Sequence, residues 1–587
     1  MDSKDSTKTP KTVTLYNIMM GFVKQHKTIC ITYLTILVIW TVYGLVIPHF
    51  LGKLYLAFQQ HRNIQFYILC VFIAIVMVQI FLYSSSKIDA ILFPLFQEYI
   101  RTKILQNTFD SKSNNYSESE LGTLITQIVK LPYQIYTLVT MLVTHYFSTA
   151  ILAILVVLYV SAYDVKLASL IFILCLLVLW SFVQNFQNCM TLSVERDSQI
   201  NNIFFRIDDS IRNMKTVIGF GKEMEEIKRI NEPHERYAEL AIQNITCART
   251  HIQFINILML SGLIFIIAYH YHLTPFESHL EISVLITIVI IYFVLYKGIW
   301  EIAIDFSDVL IKSGSITNSL NMINNALNST TYSDKQYPNK SNNIIKQSIV
   351  SSESMEDGVV FRNVSFGYAS TLILNNASFV IPKNKVTLLI GGIGSGKTTI
   401  SNLIMKFNVP SSGEIYIDQI PYSQMSTSDV RKLVFILPQN PILFNRSIYE
   451  NIVYGADPKI FTKHKVYEII TSMGLKSFID SFSSGLDTNI GVTGSKLSGG
   501  QKQIIWLIKV VILDPKIIIL DEPTASLDSN IKTIIYKLIN EILPNRTVIM
   551  ITHDQYLLQF AEHIINTDGI KPFESNSTQV YSEYNGN

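Results

Sequence analysis

The stretch that decides the fold is Gly391-Gly392-Ile393-Gly394-Ser395-Gly396-Lys397-Thr398. It follows an apolar run typical of a strand, Val386–Ile390, and it precedes a run typical of a helix, residues 399–407. Strand, glycine loop and helix together are the context that a P-loop requires. We therefore interpret this stretch as a site for a nucleoside triphosphate.

Each residue type in the loop has a physical role. The glycines allow a tight turn that points backbone N–H groups at phosphate oxygens, and the start of the next helix adds a positive dipole end. Lys397 supplies a mobile charge for the β- and γ-phosphates, and Thr398 supplies a hydroxyl ligand for Mg²⁺. The candidate nucleotide-binding residues of this stretch are Gly391, Gly392, Ile393, Gly394, Ser395, Gly396, Lys397, Thr398 and Thr399.

The composition indicates a membrane protein of more than one domain. The 587 residues are 49% hydrophobic and only 16% charged, and the mean hydropathy is +0.30. A net charge of +2 shows no sign of a nucleic-acid partner. The five cysteines have no metal-ligand spacing, so the sequence predicts neither a disulfide framework nor a zinc site.

Six segments approach or exceed the ~20 apolar residues that cross a bilayer. The expected transmembrane domain covers residues 28–325, after an N-terminal segment over 1–27. Within that segment, residues 16–27 predict either a short amphipathic helix at the membrane surface or a loop. The predicted spans are residues 28–51, 66–86, 137–162, 166–182, 254–271 and 282–300.

The basic residues predict the orientation. Lysines and arginines concentrate before the first span and in the 2–3 and 4–5 connections, which the positive-inside rule assigns to the cytoplasm. An even number of spans then leaves the rest of the chain in the cytoplasm as well. The two cytoplasmic connections contain few helix breakers, so we expect helices that extend the spans beyond the bilayer.

A polar stretch over residues 326–357 predicts a linker, and residues 358–570 predict an α/β nucleotide-binding domain followed by a polar tail over 571–587. We expect short strands at 359–361, 364–366, 372–374, 377–381 and 414–417, in a mixed sheet that leads to the P-loop. Buried parallel strands are expected at 516–520 and 548–551.

A Walker B pattern, Ile517-Ile518-Ile519-Leu520-Asp521-Glu522, follows the P-loop in the same domain. A buried strand would deliver Asp521 to Mg²⁺, and Glu522 could deprotonate the attacking water.

Between these motifs, Leu497-Ser498-Gly499-Gly500-Gln501 resembles the signature of ATP-binding cassette proteins. The resemblance extends over almost the whole chain, and the segments 412–418, 440–452 and 208–223 are similar to half-size exporters with six spans and one cassette. It implies that Tyr368 stacks on adenine, that Gln439 senses Mg²⁺ and the γ-phosphate, and that His553 acts as the switch histidine. The implied ATP contacts outside the P-loop are Ser498, Gly499, Gly500, Gln501 and the D-loop residue Asp528, with Mg²⁺ held by Thr398, Gln439 and Asp521.

The resemblance also implies a mechanism. ATP would lie between the P-loop of one cassette and the signature of another, so we expect a dimer, either of identical chains or with an unlike half-transporter. Coupling helices are expected near residues 111–118 and 207–214. Hydrolysis assisted by Glu522 would drive export or flipping of an amphipathic substrate; the alternative is a channel or regulatory subunit that ATP gates without pumping.

Some residues depart from the family pattern or have no assigned role. Val492 stands where exporters usually carry a glutamate, and Ile504 stands at a position often held by arginine. In the sixth span, Lys297, Glu301 and Asp305 share one helix face. They either face the interior or a watery cavity, or lie at the cytoplasmic end and pair with one another, which is the stronger interpretation; His145 in the third span is a further candidate.

Overall fold

The computed structural model describes residues 14–112, 121–269, 282–328, 358–368, 371–525 and 527–569. The helices that end at Asn328 and the strands and helices that begin at Gly358 belong to two compact units. The predicted linker from residue 329 onward, the polar tail and the D-loop residue Ser526 lie outside the described residues. So do residues 1–13 and most of the first predicted coupling segment.

The first unit is entirely helical. The predicted amphipathic helix before the first span is present as α1, and its buried face carries Ile18 and Phe22. The helices are α1 (Leu15–Gln25), α2 (Lys27–Gln60), α3 (Ile64–Lys112), α4 (Leu121–Met141), a π-helical turn (Leu142–Phe147), α5 (Ser148–Ser161), α6 (Val165–Arg212), α7 (Met214–Phe220), α8 (Glu223–Asn231), α9 (His234–Ala268) and α10 (Ile282–Asn328).

Among the described residues, six helical stretches are long and apolar enough to cross a membrane. The predicted six-helix membrane fold is therefore confirmed, and the chain is an integral membrane protein. Several helices continue far beyond the predicted spans: α6 runs to Arg212 and α10 runs to Asn328. The extensions are continuous with the spans because few glycines or prolines interrupt the sequence there.

The connection between the fourth and fifth spans contains two short helices. Asn213 caps the end of α6, and Gly221 caps the end of α7 with a φ of 62°, in the left-handed region that favours glycine. The predicted coupling segment 207–214 thus crosses the boundary between α6 and α7. Helix α7 exposes the apolar side chains of Met214, Ile218 and Phe220.

Helix α10 packs through its length against α2, α4, α6 and α9. Hydrogen bonds at these contacts join Ser319 Oγ to Gln127 Oε1 (2.5 Å) and Tyr292 OH to the carbonyl oxygen of Met259 (2.8 Å). A small residue allows the close approach: a Cβ added at Gly262 of α9 would lie 2.4 Å from Tyr292 Oη. Polar groups and small residues hold these helices together, because apolar burial gives little driving force for association between helices in lipid.

A disulfide joins Cys189 of α6 to Cys247 of α9, with their Cα atoms 5.9 Å apart. The prediction of no disulfide was therefore wrong. The two cysteines are 58 residues apart, and only the packing of α6 on α9 brings them together. Sequence spacing carries no signal for a pair of this kind.

The second unit contains nine strands and eight α-helices among its described residues. The strands are β1 (Gly358–Tyr368), β2 (Thr371–Pro382), β3 (Val386–Ile390), β4 (Ser412–Ile417), β5 (Ile420–Pro421), β6 (Val434–Leu437), β7 (Ile517–Asp521), β8 (Thr547–Ile551) and β9 (His563–Asn566). The helices are α11 (Lys397–Ile404), α12 (Thr427–Leu433), α13 (Ile448–Ile452), α14 (Lys463–Ser472), α15 (Lys476–Asp480), α16 (Gly499–Leu513), α17 (Ser529–Ile542) and α18 (Gln555–Leu558).

These strands form two sheets. An antiparallel sheet has the order β2-β1-β4-β5, and a parallel sheet has the order β6-β7-β8-β3-β9. The expected single mixed sheet was wrong, because the antiparallel strands do not pair with the strand that leads to the P-loop. The predicted strands 359–361 and 364–366 are parts of one strand, β1, and the predicted strands 372–374 and 377–381 are parts of β2. The pairing of β1 with β2 shifts register along its length, but neither strand ends there.

Both faces of the parallel sheet are covered, as its apolar strands predict. All five residues of β8 are buried, and so are Ile517 to Leu520 of β7. Since all five strands run in the same direction, their carboxyl ends lie along one edge. This edge is where an open α/β sheet binds ligands.

The packing at Gly262 gives a first prediction. Gly262→Ala should lower the melting temperature of the detergent-solubilised protein, because the added methyl would lie 2.4 Å from Tyr292 Oη and 2.6 Å from Leu174 Cδ1. Overpacking of this kind typically costs about 1–3 kcal/mol. Gly219→Ala is the matched control, since nothing lies within 4 Å of its added Cβ. Equal melting temperatures for Gly262→Ala and the wild type would contradict the close approach.

Candidate nucleotide site

The candidate site residues follow the strands of the parallel sheet. The P-loop follows β3, Gln439 follows β6, Asp521 ends β7 with Glu522 directly after it, and His553 follows β8. The strand register aligns these ends, since Leu437 pairs with Leu520 and Asp521 pairs with Ile551. One sheet edge thus brings together groups that are more than 100 residues apart in sequence.

The P-loop has the backbone that its glycines predict. Gly394 and Gly396 have φ values of 83° and 95°, which residues with a side chain rarely adopt. Lys397 Nζ donates to the carbonyl oxygens of Gly391 (2.7 Å) and Gly392 (2.8 Å), so its charge is held at the loop. An added Cβ at Gly394 would contact nothing within 4 Å, so this side of the loop is open. An open glycine loop with a lysine across it fits a polyphosphate.

Two residues that the sequence analysis did not select hold the loop in place. Thr567 hydrogen-bonds to Ser395 Oγ and donates to the carbonyl oxygen of Ile390 (3.0 Å). Asp568 accepts a hydrogen bond from the backbone N–H of Gly392. Both residues directly follow β9, and the position of polar residues at a strand end was the signal that could have identified them.

Asp521 and Glu522 form the acidic part of the site. Burial raises the pKa of Asp521, and the neighbouring Glu522 carboxylate raises it further, while the positive charge of Lys397 acts in the opposite direction. A carboxylate that is destabilised in this way gains from a divalent cation. Thr398, Gln439 and Asp521 offer the hard oxygen ligands that Mg²⁺ prefers, and Thr398 and Gln439 are exposed.

Glu522 has a backbone φ of 47°, which is uncommon for a residue with a side chain. Its N–H donates to the carbonyl oxygen of Ile551 (2.8 Å), which fixes this turn against the end of β8. His553 Nε2 lies 3.8 Å from Glu522 Oε1, and the His553 side chain is 85% exposed. The structure thus brings the candidate base and the candidate switch histidine together.

Asp554 is a further residue that the sequence analysis missed. It accepts hydrogen bonds from Thr524 Oγ1 (2.8 Å) and Tyr536 OH (2.6 Å). Burial alone would raise its pKa, but these hydrogen bonds outweigh burial and hold the pKa below the usual value. Because Thr524 follows the Walker B strand and Asp554 follows His553, this hydrogen bond connects the loop after β7 to the segment after β8.

Tyr368 lies at the end of β1 and is 38% exposed. Its hydroxyl accepts a hydrogen bond from Asn408 Nδ2 (3.1 Å), and its ring meets Phe366 edge-on at 5.0 Å. The ring is therefore fixed and still accessible.

The signature residues form the start of α16. Ser498 and Gln501 make a capping box, in which Ser498 Oγ accepts from the Gln501 N–H and Gln501 Oε1 accepts from the Ser498 N–H. Gly500 packs against α17, where an added Cβ would lie 2.4 Å from Ile531 Cγ2, whereas Gly499 has open space. Asp528 caps α17 by accepting from the Ile531 N–H (2.9 Å). Gln501, Gly500 and Asp528 therefore each have a structural role in this chain.

The departures from the family pattern have different environments. Ile504 is fully buried, so an apolar side chain completes the core there. Val492 is 65% exposed. Lys509, a basic residue of α16 after the signature, is buried. Its ammonium lies 4.6 Å from the centroid of the Trp506 ring, and burial lowers its pKa to about 8.

In the first unit, Lys297, Glu301 and Asp305 of α10 take part in two pairs. Lys297 Nζ lies 3.7 Å from Glu301 Oε1, and Asp305 bonds to His145 in the π-helical turn. The predicted pairing along one helix face thus holds for Lys297 and Glu301 only. His145, Glu301 and Asp305 line a cavity of about 440 Å³. The cavity wall also contains Tyr33 and Trp40 of α2 and Phe81 of α3.

The comparisons with known proteins agree with this architecture. The family model for the ABC transporter transmembrane region matches residues 29–297, and the family model for the ABC transporter cassette matches residues 374–525. Together the two matches cover more than half of the chain. The chain belongs to the ATP-binding cassette (ABC) transporters and, within them, to the half-size exporters.

Three similar proteins illustrate the relationship. An export ATP-binding/permease protein of Rickettsia bellii is 26% identical over 80% of this chain and 79% of its own length. The mitochondrial iron-sulfur clusters transporter ABCB7 of Homo sapiens is 35% identical, but over only 38% of this chain and 31% of its own. A solved structure, a bacterial Atm1-family ABC exporter with ATP bound, has a TM-score of 0.75 at 20% identity and covers 92% of this chain and 93% of that chain.

The two signature glycines give a second prediction. Gly500→Ala should lower the melting temperature, because its methyl group would overlap Ile531. Gly499→Ala should leave the melting temperature unchanged and still lower ATPase activity, because that side of α16 is open in the single chain and would face a partner's nucleotide. Thermal melts and ATPase rates of both variants check this. A Gly499→Ala variant with full activity would contradict the assigned role.

Proposed function

We propose that the chain works as a dimer that exports or flips an amphipathic substrate across a membrane at the expense of ATP. The observation that carries this proposal is the edge of the parallel sheet, which gathers Lys397, Asp521, Glu522 and His553 in a chain with six membrane helices. A phosphate-binding loop, a metal ligand, a base and a switch histidine are the parts that phosphoryl transfer to water requires.

The proposed chemistry assigns one task to each group. Lys397 and the P-loop N–H groups hold the β- and γ-phosphates. Thr398, Gln439 and Asp521 would hold Mg²⁺, which would supply further positive charge to the phosphates when bound. Glu522 orients a water and takes its proton as the water oxygen bonds to the γ-phosphorus and the bond to the leaving oxygen of ADP breaks. His553, 3.8 Å from Glu522, donates to the γ-phosphate oxygens that carry the developing charge.

The exposed signature supports a dimer. Ser498 and Gly499 are exposed at the start of α16, and Gly499 has no steric reason in its own chain to be glycine. A partner's nucleotide would supply that reason, because a γ-phosphate seated there needs a close approach to backbone N–H groups. Glu522, His553 and the signature are all present in this chain, so we propose a homodimer with two competent sites. An unlike half-transporter is the alternative partner.

The alternative hypothesis, a channel that ATP gates without pumping, is not favoured. A channel that ATP gates needs ATP binding more than ATP hydrolysis. This chain nevertheless retains both Glu522 and His553, and His553 Nε2 lies 3.8 Å from Glu522 Oε1. We place the nucleotide-binding domain in the cytoplasm, where ATP is available, because the lysines and arginines cluster in the connections on that side. ATP binding would favour one arrangement of the helices, and hydrolysis would release it.

The cavity beside α10 supports an amphipathic substrate. Its wall combines aromatic rings, among them Trp40 and Phe81, with the carboxylates of Glu301 and Asp305. Asp305 contacts His145, which lies within the predicted third span, and carboxylates near membrane depth usually face a binding path. Aromatic faces attract cations as well as apolar groups. The π-helical turn that carries His145 is a local distortion of a type often found at functional sites. We therefore propose that the substrate has an apolar body and a cationic group.

A third prediction concerns catalysis. Glu522→Gln should lower the vanadate-sensitive ATPase rate of the lipid-reconstituted protein by about 100-fold or more, because the amide cannot accept the proton of water. ATP binding, measured by fluorescent-nucleotide titration, should be retained. Glu541→Gln on the exposed face of α17 is the control and should keep the wild-type rate. Wild-type turnover by Glu522→Gln would remove Glu522 from the mechanism.

A fourth prediction concerns the cavity. Asp305→Asn should weaken binding of an amphipathic cation such as tetraphenylphosphonium by about 10- to 100-fold, since a charge-assisted contact contributes about 1.5–3 kcal/mol. Asparagine can still hydrogen-bond to His145, so the packing is kept. Asp308→Asn removes a carboxylate one turn away that pairs with Lys312 and does not line the cavity, and it should have no effect. Equal losses in the two variants would contradict a cation site at Asp305.

A further inference from the structure

Three side chains of metal-binding type meet where α6 packs on α9, outside both the candidate ATP site and the cavity. Cys189 comes from α6, and Cys247 and His251 lie one turn apart on α9. Their ligand atoms, two sulfurs and one ring nitrogen, all lie within 4.8 Å of one another. Thiolate and imidazole are the ligands that Zn²⁺ prefers in proteins.

The position of a buried amide also points to this cluster. Asn244, on α9 one turn before Cys247, is fully buried, and its Nδ2 donates to the carbonyl oxygen of Cys189 (3.0 Å). Its Oδ1 has no hydrogen-bond partner among the described residues. A buried acceptor without a partner costs about 1–3 kcal/mol. Because the same amide binds the backbone of Cys189, this unsatisfied acceptor belongs to the packing that surrounds the cluster.

The surroundings hold the cluster rigid and shield it on one side. Cys189 is fully buried, and it packs with Ala248 of α9 and with Phe306 and Leu310 of α10, all of them buried. Cys247 and His251 are half-buried, which leaves a route for a cation to enter. Ligands fixed by packing lose little freedom when they bind a metal.

The oxidation state of the two cysteines decides whether the cluster can bind a metal. In the structure their sulfurs are joined, and a disulfide offers no thiolate. The proposed orientation, however, places this part of α6 and α9 on the cytoplasmic side, where cellular thiols keep cysteines reduced. A dithiol reductant would supply two electrons and two protons, which convert the disulfide into two thiols while the reductant becomes a disulfide. Metal binding then releases the two thiol protons.

We propose that reduced Cys189 and Cys247, together with His251, form a binding site for one Zn²⁺ ion that fastens α6 to α9. Oxidation to the disulfide closes the site and makes the same connection covalently. The site is separate from ATP hydrolysis and from the substrate cavity. Only the argument that it is reduced in the cell rests on the proposed orientation.

The test uses the full-length protein in lipid nanodiscs, reduced with a phosphine, treated with a chelator and then titrated with Co²⁺ as a spectroscopic stand-in for Zn²⁺. We expect one Co²⁺ per chain, a sulfur-to-cobalt charge-transfer band in the near ultraviolet, and loss of that band when Zn²⁺ is added. Protein oxidised before the titration should show no band.

Variants decide whether the band belongs to this cluster. Cys189→Ser and His251→Ala should each abolish or strongly shift the band. Cys175→Ser is the matched control, because Cys175 is a half-buried free cysteine on the same helix that does not belong to the cluster. It should bind Co²⁺ as the wild type does. Melting curves without metal show whether each variant is folded, and if Cys189→Ser is not folded, His251→Ala decides.

The proposal is overturned if reduced wild-type protein shows no charge-transfer band, or if His251→Ala and Cys175→Ser bind Co²⁺ equally. Neither result depends on transport or ATP hydrolysis. A failure of the metal site is therefore distinguishable from a failure of the proposed exporter function, which the Glu522→Gln experiment tests.

Discussion

The parallel alignment of β6, β7, β8, β3 and β9 is the constraint on which the candidate ATP site depends. Hydrogen-bonded parallel strands bring their carboxyl ends to one edge, so whatever follows each strand shares one small region. Burial and the neighbouring Glu522 carboxylate raise the pKa of Asp521, while Lys397 acts in the opposite direction, so holding the charged form at this edge carries a cost. A divalent cation and a polyphosphate would offset this cost, which is the physical basis of our proposal that the site binds Mg²⁺ together with ATP.

Hydrogen bonds from the loops after β8 and β9 also stabilise this edge. Thr567 and Asp568 hold the P-loop, and Asp554 connects the Walker B loop to the switch region through Thr524. These contacts restrict how far one element of the site can move without the others. A nucleotide-dependent shift of Glu522 or His553 would therefore move the neighbouring loops with it. This is a physical basis for coupling hydrolysis to movement of the domain.

The sequence predicted the parts of the fold that local patterns encode. The P-loop and the Walker B strand are short, contiguous and rich in residues of special chemistry, and six apolar stretches are visible without any knowledge of packing. What it did not predict depends on contacts between distant segments. The disulfide between Cys189 and Cys247, the pairing of His145 with Asp305, and the hydrogen bond from Gly392 to Asp568 join residues 58, 160 and 176 positions apart. The division into two sheets was missed because apolar alternation identifies a strand but not the strand that pairs with it.

The most direct test of the central claim is a cryo-electron microscopy reconstruction of the Glu522→Gln variant in nanodiscs with Mg²⁺ and ATP. The account predicts a dimer in which nucleotide lies on Lys397 of one subunit and meets Ser498 of the partner subunit, with the metal beside Asp521. A monomer, or a nucleotide bound away from the carboxyl edge of the parallel sheet, would contradict it.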